Sequence, residues 1–333
     1  MPRHARLDVP GALHHIMVRG INSSAIFKDD QDKLQFLDRL SQNITEGHCF
    51  IYAWVLMDNH IHLLFRSGSQ GISAVMRKLL SWYAQYYNRR HRRTGHLFEN
   101  RYKSILCDED AYLLVLVRYI HLNPVRANII TTINELDRYR WSGHSVIMGN
   151  NKQQWMDTDH VLSYFSTKTR AARNAYWRFV EEGMSLGRSD ELTGGGLIRS
   201  RGGWSQVIAM RRRGQREQSD ERILGDGDFV QAILQETEQR ELRQLKVCRS
   251  GKTIAEIIDE ECAPANISPQ EVASGSRRSV VSRTRALIAY RSGEELGLSA
   301  AEIARHLGVA TSSITRAIER VVGARGEREM QRR

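Results

Sequence analysis

Residues 49–65 read CFIYAWVLMDNHIHLLF, and the fold is decided here. Cys49 to Leu56 is a nearly unbroken apolar and aromatic run that reads as a strand. Met57-Asp58-Asn59 supplies turn chemistry. His60 to Phe65 then returns as a second strand. Side chains two apart on a strand share a face, so Ile61, Leu63 and Phe65 point one way and His60 and His62 the other. This hairpin predicts the centre of a sheet and, on one surface of it, a pair of imidazoles.

Working outward, Leu13 to Arg19 (LHHIMVR) reads as a strand ended by Gly20. Leu34, Phe36, Leu37, Leu40 and Ile44 recur at helical spacing and predict a helix over 29–45, with Asp29 or Asp30 as its cap. Gly71 to Arg90 is an amphipathic helix rich in aromatics and arginine, Leu97 to Cys107 is extended, and Asp108 to Leu122 is a helix closed by Pro124 just past its end. The order β-α-β-β-α-β with a further helix predicts an α+β, ferredoxin-like (RRM-like) domain: an antiparallel sheet with helices on one face.

Near residue 150 the character changes to helical and strongly charged. We expect three parts: a domain over 1–150, a helical linker extension over 151–250, and an all-α region over 251–333. The extension holds Gly194 to Gly196 and a basic cluster from Arg211 to Arg216. In the last part, helices over 299–307 and 311–322 flank a turn at Gly308, within a helix-turn-helix at about 279–322. Ile303, Leu307, Val309, Ile314, Ile318 and Val321 would pack inside. Ser312, Ser313, Thr315, Arg316 and Arg320 would face outward, as DNA recognition requires. An ordinary helical hairpin with a polar face shows the same pattern.

Composition narrows the class. The chain has 333 residues, 41% hydrophobic, with a formal net charge of +11. It is neither disordered nor fibrous. No run of about 18 apolar residues predicts a membrane span, and no apolar segment near the start reads as a signal peptide. Cys49, Cys107, Cys248 and Cys262 have no metal-like spacing and predict free thiols in a reducing cytoplasm. The charge points to a polyanionic partner without saying what is done to it.

Two neutral imidazoles on one strand face can hold a single divalent cation but cannot close a structural zinc site, which takes four ligands. With one more ligand they leave positions open for water or a phosphate oxygen, as a catalytic metal needs. The helix over 108–122 offers what would complete such a site. Tyr112 and Tyr119 are seven apart and share a face, and Tyr119 and Asn123 are neighbours four apart. A tyrosine can be a covalent nucleophile, and an amide oxygen is a hard ligand suited to Mg²⁺ or Mn²⁺. Asn123 before Pro124 equally suits the cap of a following helix.

Tyr52 to Leu64 (YAWVLMDNHIHLL) resembles the His-hydrophobic-His segment of the HUH single-tyrosine transposases. Gly95 to Ser104 (GHLFENRYKS) and Arg118 to Ala127 (RYIHLNPVRA) resemble the REP-associated tyrosine transposase branch. This resemblance covers about residues 1–150. The C-terminal stretch is similar to the helix-turn-helix of the bacterial replication initiator over some forty residues. The resemblance implies metal-dependent cleavage and rejoining of single-stranded, hairpin-associated DNA through a 5′-phosphotyrosine. It implies His60 and His62 as metal ligands, Tyr119 as nucleophile and Asn123 as a third ligand, at a position where insertion-sequence relatives usually carry Gln. The expected partner is single-stranded or hairpin DNA, with duplex DNA at the helix-turn-helix, and the expected state a monomer or homodimer. Arg101, Lys103, Arg118 and Arg126 flank the site as phosphate contacts. Trp82, Tyr83, Tyr86 and Tyr87, interleaved with Arg77, Lys78, Arg89, Arg90, Arg92 and Arg93, would suit a single strand as well as they suit a core with a wet face. Two other readings remain: a DNA-binding regulator that kept the fold without the chemistry, and an RNA-binding sheet, which lacks its aromatic motif here.

Overall fold

Four strands carry the first part of the chain: β1 (Leu13–Arg19), β2 (Phe50–Leu56), β3 (His60–Arg66) and β4 (Lys103–Cys107). They lie in the order β2-β3-β1-β4 with every neighbouring pair antiparallel, and a short fifth strand, β5 (Ile223–Leu224), adds parallel to β4. Two split β-α-β crossovers make this order. Helix α1 (Asp30–Gly47) links β1 to β2 around β3, and α2 (Ser73–Arg90) links β3 to β4 around β1. The computed structural model describes residues 7–68, 71–185, 192, 219–249, 252–276, 278–298 and 300–330. The glycine run 194–196 and the basic cluster 211–216 lie outside the described residues.

Local chemistry explains the boundaries. Asp29 is the cap of α1, its carboxylate accepting from the Asp32 amide at 3.1 Å, and it satisfies one of the amides that a helix start leaves unpaired. Helix α3 (Glu109–His121) stops two residues before Pro124, and a short helix, α4 (Asn123–Arg126), follows with the proline in its first turn.

The helices do not share one face of the sheet, as the β-α-β-β-α-β pattern had suggested. Strand register places His15, Met17, His62, Leu64, Ile105 and Lys103 on one surface. Tyr119 of α3 meets His15 and His62 there, with ring centroids 5.9 and 6.0 Å apart. Ile16, Val18, Ile61, Leu63 and Phe65 line the opposite surface and are all buried. Right-handed crossovers put α1 and α2 on a common side, and these two helices pack on each other. The sheet is therefore the middle of three layers.

Strand β2 is an edge strand, yet Ile51 to Met57 is buried throughout. Downstream chain covers it: the Leu56 amide donates to Trp141 at 2.9 Å and the Asp157 amide to Ile51 at 3.0 Å. This pairing removes an exposed edge that would otherwise recruit foreign strands. The helices α5 (Ile133–Arg138), α6 (Gly143–Ile147), α7 (Thr158–Ser163) and α8 (Thr169–Met184) continue the same body. Val161, Ala172, Tyr176 and Val180 belong to one hydrophobic core with the sheet. Compact units divide at 233/234, not near 150, so much of the stretch read as a linker is built into the first unit.

The second unit, 234–333, holds α9 (Gly227–Arg249, in greater part), α10 (Ile254–Ala265), α11 (Pro269–Ala273), α12 (Ser279–Leu296), α13 (Ala300–His306) and α14 (Thr311–Met330). A reciprocal Thr253–Glu256 box caps α10. Ile303, Leu307 and Ile314 are fully buried, and Val309 and Ile318 pack against them. Gly308 sits at φ +61 between α13 and α14, and a Cβ there would lie 2.7 Å from the Ala273 carbonyl. Only glycine meets both demands. Ser312, Ser313, Arg316 and Arg320 are exposed and Thr315 half-buried.

Candidate active site

Residues from four elements meet in one pocket of about 440 Å³. β3 contributes His60 and His62, α3 contributes Tyr119, the α3–α4 junction contributes Asn123, and β4 contributes Lys103. The imidazoles of His60 and His62 lie 5.2 Å apart, centroid to centroid. Antiparallel pairing of β3 against β1 holds His62 opposite Met17 and His60 opposite Arg19, so strand register sets the spacing of the two rings.

Each ring has a polar partner behind it. His60 Nδ1 lies 2.6 Å from Asn59 Oδ1. His62 Nδ1 lies 2.9 Å from Nε2 of His15, and His15 Nδ1 lies 3.0 Å from the Leu192 carbonyl. Burial holds the pKa of His15 down to about 4, and it pushes His62 well below the ordinary histidine value, helped by the neighbouring His15 and His60 rings. Both rings are therefore neutral near neutral pH, the form in which imidazole ligates.

Tyr119 is 5% exposed. The Arg126 guanidinium stands over its ring, 4.8 Å from the centroid, and Arg126 Nη1 donates to the Tyr119 carbonyl at 2.8 Å. Asn123 Nδ2 donates to the same carbonyl at 2.9 Å and to that of Ile120 at 3.2 Å. The amide nitrogen closes the end of α3, which leaves Oδ1 as the end of the side chain with cation-binding chemistry. Asn123 does not cap the following helix, as its place before Pro124 suggests: it is the first residue of α4, Leu122 holds the cap position without a side-chain bond, and the Asn123 amide turns back onto α3.

Residues 9–123 match a family model described as transposase IS200 like. That span, about a third of the chain, is similar to the IS200-like transposases. A solved structure of a REP-associated tyrosine transposase bound to a REP hairpin is similar to 48% of this chain and 90% of that chain, at 15% identity and a TM-score of 0.38. No curated protein matches.

Within the first unit, the expected phosphate contacts are sorted by packing. Lys103 lines the pocket and Arg126 covers the tyrosine. Arg118 turns away: its guanidinium lies 4.2 Å over the Phe179 ring and donates to the Phe179 carbonyl at 3.4 Å. Arg101 lines a neighbouring cleft of about 830 Å³ with Arg77 and Phe98. Tyr112 is half-buried and does not line the Tyr119 pocket. On α2, Tyr83 and Tyr87 are core, Arg90 is tied to Asp29 and Asp32, and Arg93 donates to the His96 carbonyl at 2.8 Å. Trp82 and Tyr86 stack on each other, centroids 5.5 Å apart.

Sequence reasoning missed His15. Its signal was present, since it stands in a predicted strand, but nothing local says which strand lies beside β3. Among the described residues no group of three His, Cys, Asp or Glu side chains converges as a metal site. A cation here would rest on two histidines and an amide oxygen.

The far side of α3 carries a second polar chain. His121 Nδ1 and His144 Nδ1 lie 2.7 and 2.9 Å from the Tyr176 hydroxyl, and His144 Nε2 lies 2.8 Å from Asp137. At the other end of α3, His160 of α7 pairs with Glu109 at 3.0 Å. A Cβ on Gly183 of α8 would lie 2.5 Å from Arg118 Cδ. Helices α7 and α8 therefore clasp the tyrosine-bearing helix at its start and in its last turn.

Proposed function

We propose that the first unit cleaves and rejoins single-stranded, hairpin-associated DNA, with Tyr119 as nucleophile and His60, His62 and Asn123 as ligands of a Mg²⁺ or Mn²⁺ ion. The observation that carries this is the convergence of these four side chains on one pocket with Lys103. The donor set fits the ion: two neutral imidazoles and one amide oxygen leave coordination positions for phosphate. When bound, the cation would polarise the scissile phosphate and offset the charge that develops on its oxygens.

The chain's own residues account for the rest. Tyr119 Oη attacks phosphorus, the P–O3′ bond breaks, and the phenolic proton ends on the released 3′-oxygen. The product is a 5′-phosphotyrosine and a free 3′-hydroxyl. Bond energy is conserved in the linkage, so an incoming 3′-hydroxyl reverses the step and joins a new strand without ATP. Arg126, over the ring face, favours negative charge on the phenol oxygen. Lys103 supplies a point charge to the phosphate. In the second unit, we propose that the surface of α14 bearing Ser312, Ser313, Thr315, Arg316 and Arg320 binds duplex DNA.

The decisive test uses labelled hairpin DNA with Mg²⁺ or Mn²⁺ and the full chain. Wild type should trap a covalent protein–DNA adduct, and Tyr119→Phe should bind the DNA and form none. An equal adduct from Tyr119→Phe refutes the nucleophile. Absence of adduct from wild type across hairpin substrates favours a regulator that binds DNA without cutting it.

A further inference from the structure

We infer that two hydrogen-bond relays, each ending on a main-chain carbonyl, lock His60 and His62 in the tautomer that presents Nε2 as a ligand, and that His15 is the positioning residue of the longer relay. This rests on the reading of His60 and His62 as metal ligands.

The assignment follows from what each atom can do. The Leu192 carbonyl only accepts, so His15 Nδ1, 3.0 Å away, carries a proton. A neutral imidazole has one proton, so His15 Nε2 is an acceptor. His62 Nδ1, 2.9 Å from it, is then the donor. The His62 proton is spent on Nδ1, and the lone pair sits on Nε2. The reverse polarity needs an imidazolium at His15, which is fully buried, and an unpaired charge there is costly. The shorter relay runs the same way. Asn59 Nδ2 donates to the Ser23 carbonyl at 3.1 Å, which turns Oδ1 toward His60 Nδ1 at 2.6 Å. His60 is likewise protonated on Nδ1.

Both ligands thus receive the same instruction, His62 through β1 and His60 through the turn that precedes β3. His15 comes from β1, where His15 pairs with Leu64 and so stands diagonal to His62. Its acceptor, Leu192, lies far outside the span matched by the transposase family, 9–123. Outer hydrogen bonds of this kind orient metal-bound histidines and raise their basicity, and their loss commonly costs about 10–100-fold in affinity.

Two measurements on the full, metal-free chain test this. With ¹⁵N-histidine labelling at about pH 8, above the ordinary imidazole range, the ring-nitrogen shifts of His60 and His62 should report Nδ1–H and bare Nε2. Protonation of either ring on Nε2 overturns the inference, and this reading needs no mutant to fold. Mn²⁺ binding without DNA is then followed by the loss of the free-ion EPR signal. His15→Phe, which keeps a ring and removes both bonds, should bind about 10–100-fold more weakly. His15→Gln, which can accept and donate, should recover most of that. Wild-type affinity in a folded His15→Phe overturns the positioning role alone. A wild type that takes up no Mn²⁺, or takes it up unchanged in His62→Ala, refutes the metal-site reading and the inference with it.

Discussion

Replacing Tyr176 by Phe deletes one oxygen from α8, far in sequence from the proposed nucleophile, and should weaken the whole first unit. The hydroxyl is the node of a directed chain. Asp137 accepts from His144 Nε2, so neutral His144 is an acceptor at Nδ1 and takes the Tyr176 proton. The Tyr176 oxygen in turn accepts from His121 Nδ1. Tyr176, His121 and His144 are all fully buried. Tyr176→Phe leaves one buried donor and one buried acceptor unmatched, at about 1–3 kcal/mol each, or roughly 2–6 kcal/mol together. In a domain of this size each kcal/mol moves the midpoint by about 2–4 °C. Scanning calorimetry should therefore show the transition of the first unit lowered by about 4 °C or more, with the second unit unmoved. Because His121 stands beside the Tyr119–Asn123 turn, adduct formation should slow as well. A midpoint within about 1 °C of wild type would show that α8 is not bound into the domain through this chain.

Other outcomes can be checked with the same preparations. Arg126→Ala should lower the rate of adduct formation about 10–30-fold with DNA binding retained, from the loss of a cation–π contact worth up to about 2 kcal/mol, whereas an unchanged rate removes Arg126 from the reaction. Burial lowers the pKa of His14 to about 4 and that of His144 below its ordinary value. Their unfolded forms bind protons first, so stability present above about pH 6.5 falls as pH drops, for His14 by about 1.4 kcal/mol per unit toward pH 4 and for His144 in the same direction. The first unit should melt lower at pH 5 than at pH 7.5, and His14→Gln should flatten that slope; an identical slope excludes His14. Arg316→Ala with Arg320→Ala should weaken duplex binding and its salt dependence while sparing adduct formation on hairpin DNA, and a parallel loss of both would deny that the two units have separate roles.

The parts of the fold that sequence made legible are those written in local periodicity. β1, β2 and β3, the cap at Asp29, the stop before Pro124 and the shared face of His60 and His62 all follow from neighbours within a few residues. β5 did not, because Ile223–Leu224 is too short to show a period and pairs with β4 from more than a hundred residues away. Placing helices on one face failed for a related reason. Crossover handedness sets α1 and α2, but α3 follows the last strand of the repeat and is directed only by what remains uncovered.

The site divides along the same line. Sequence named four residues that share the pocket, His60, His62, Tyr119 and Asn123, because each sits on a regular element whose period orients it. It could not rank the cations. Arg118 and Lys103 look alike as charges near a proposed site, yet one is spent on Phe179 and the other faces the pocket. Nor could it see that His15 lies behind His62, since adjacency across β1 and β3 is a property of the sheet. Net charge of +11 favours a polyanion wherever its members sit. The proposed strand transfer would rest instead on a handful of neutral side chains held at fixed angles, and in this chain the parts that hold them reach well past residue 150. Tyr176 grips the end of α3 and Leu192 ends the relay to His62, so trimming the chain to the segment 9–123 should retain the proposed ligands and lose their alignment.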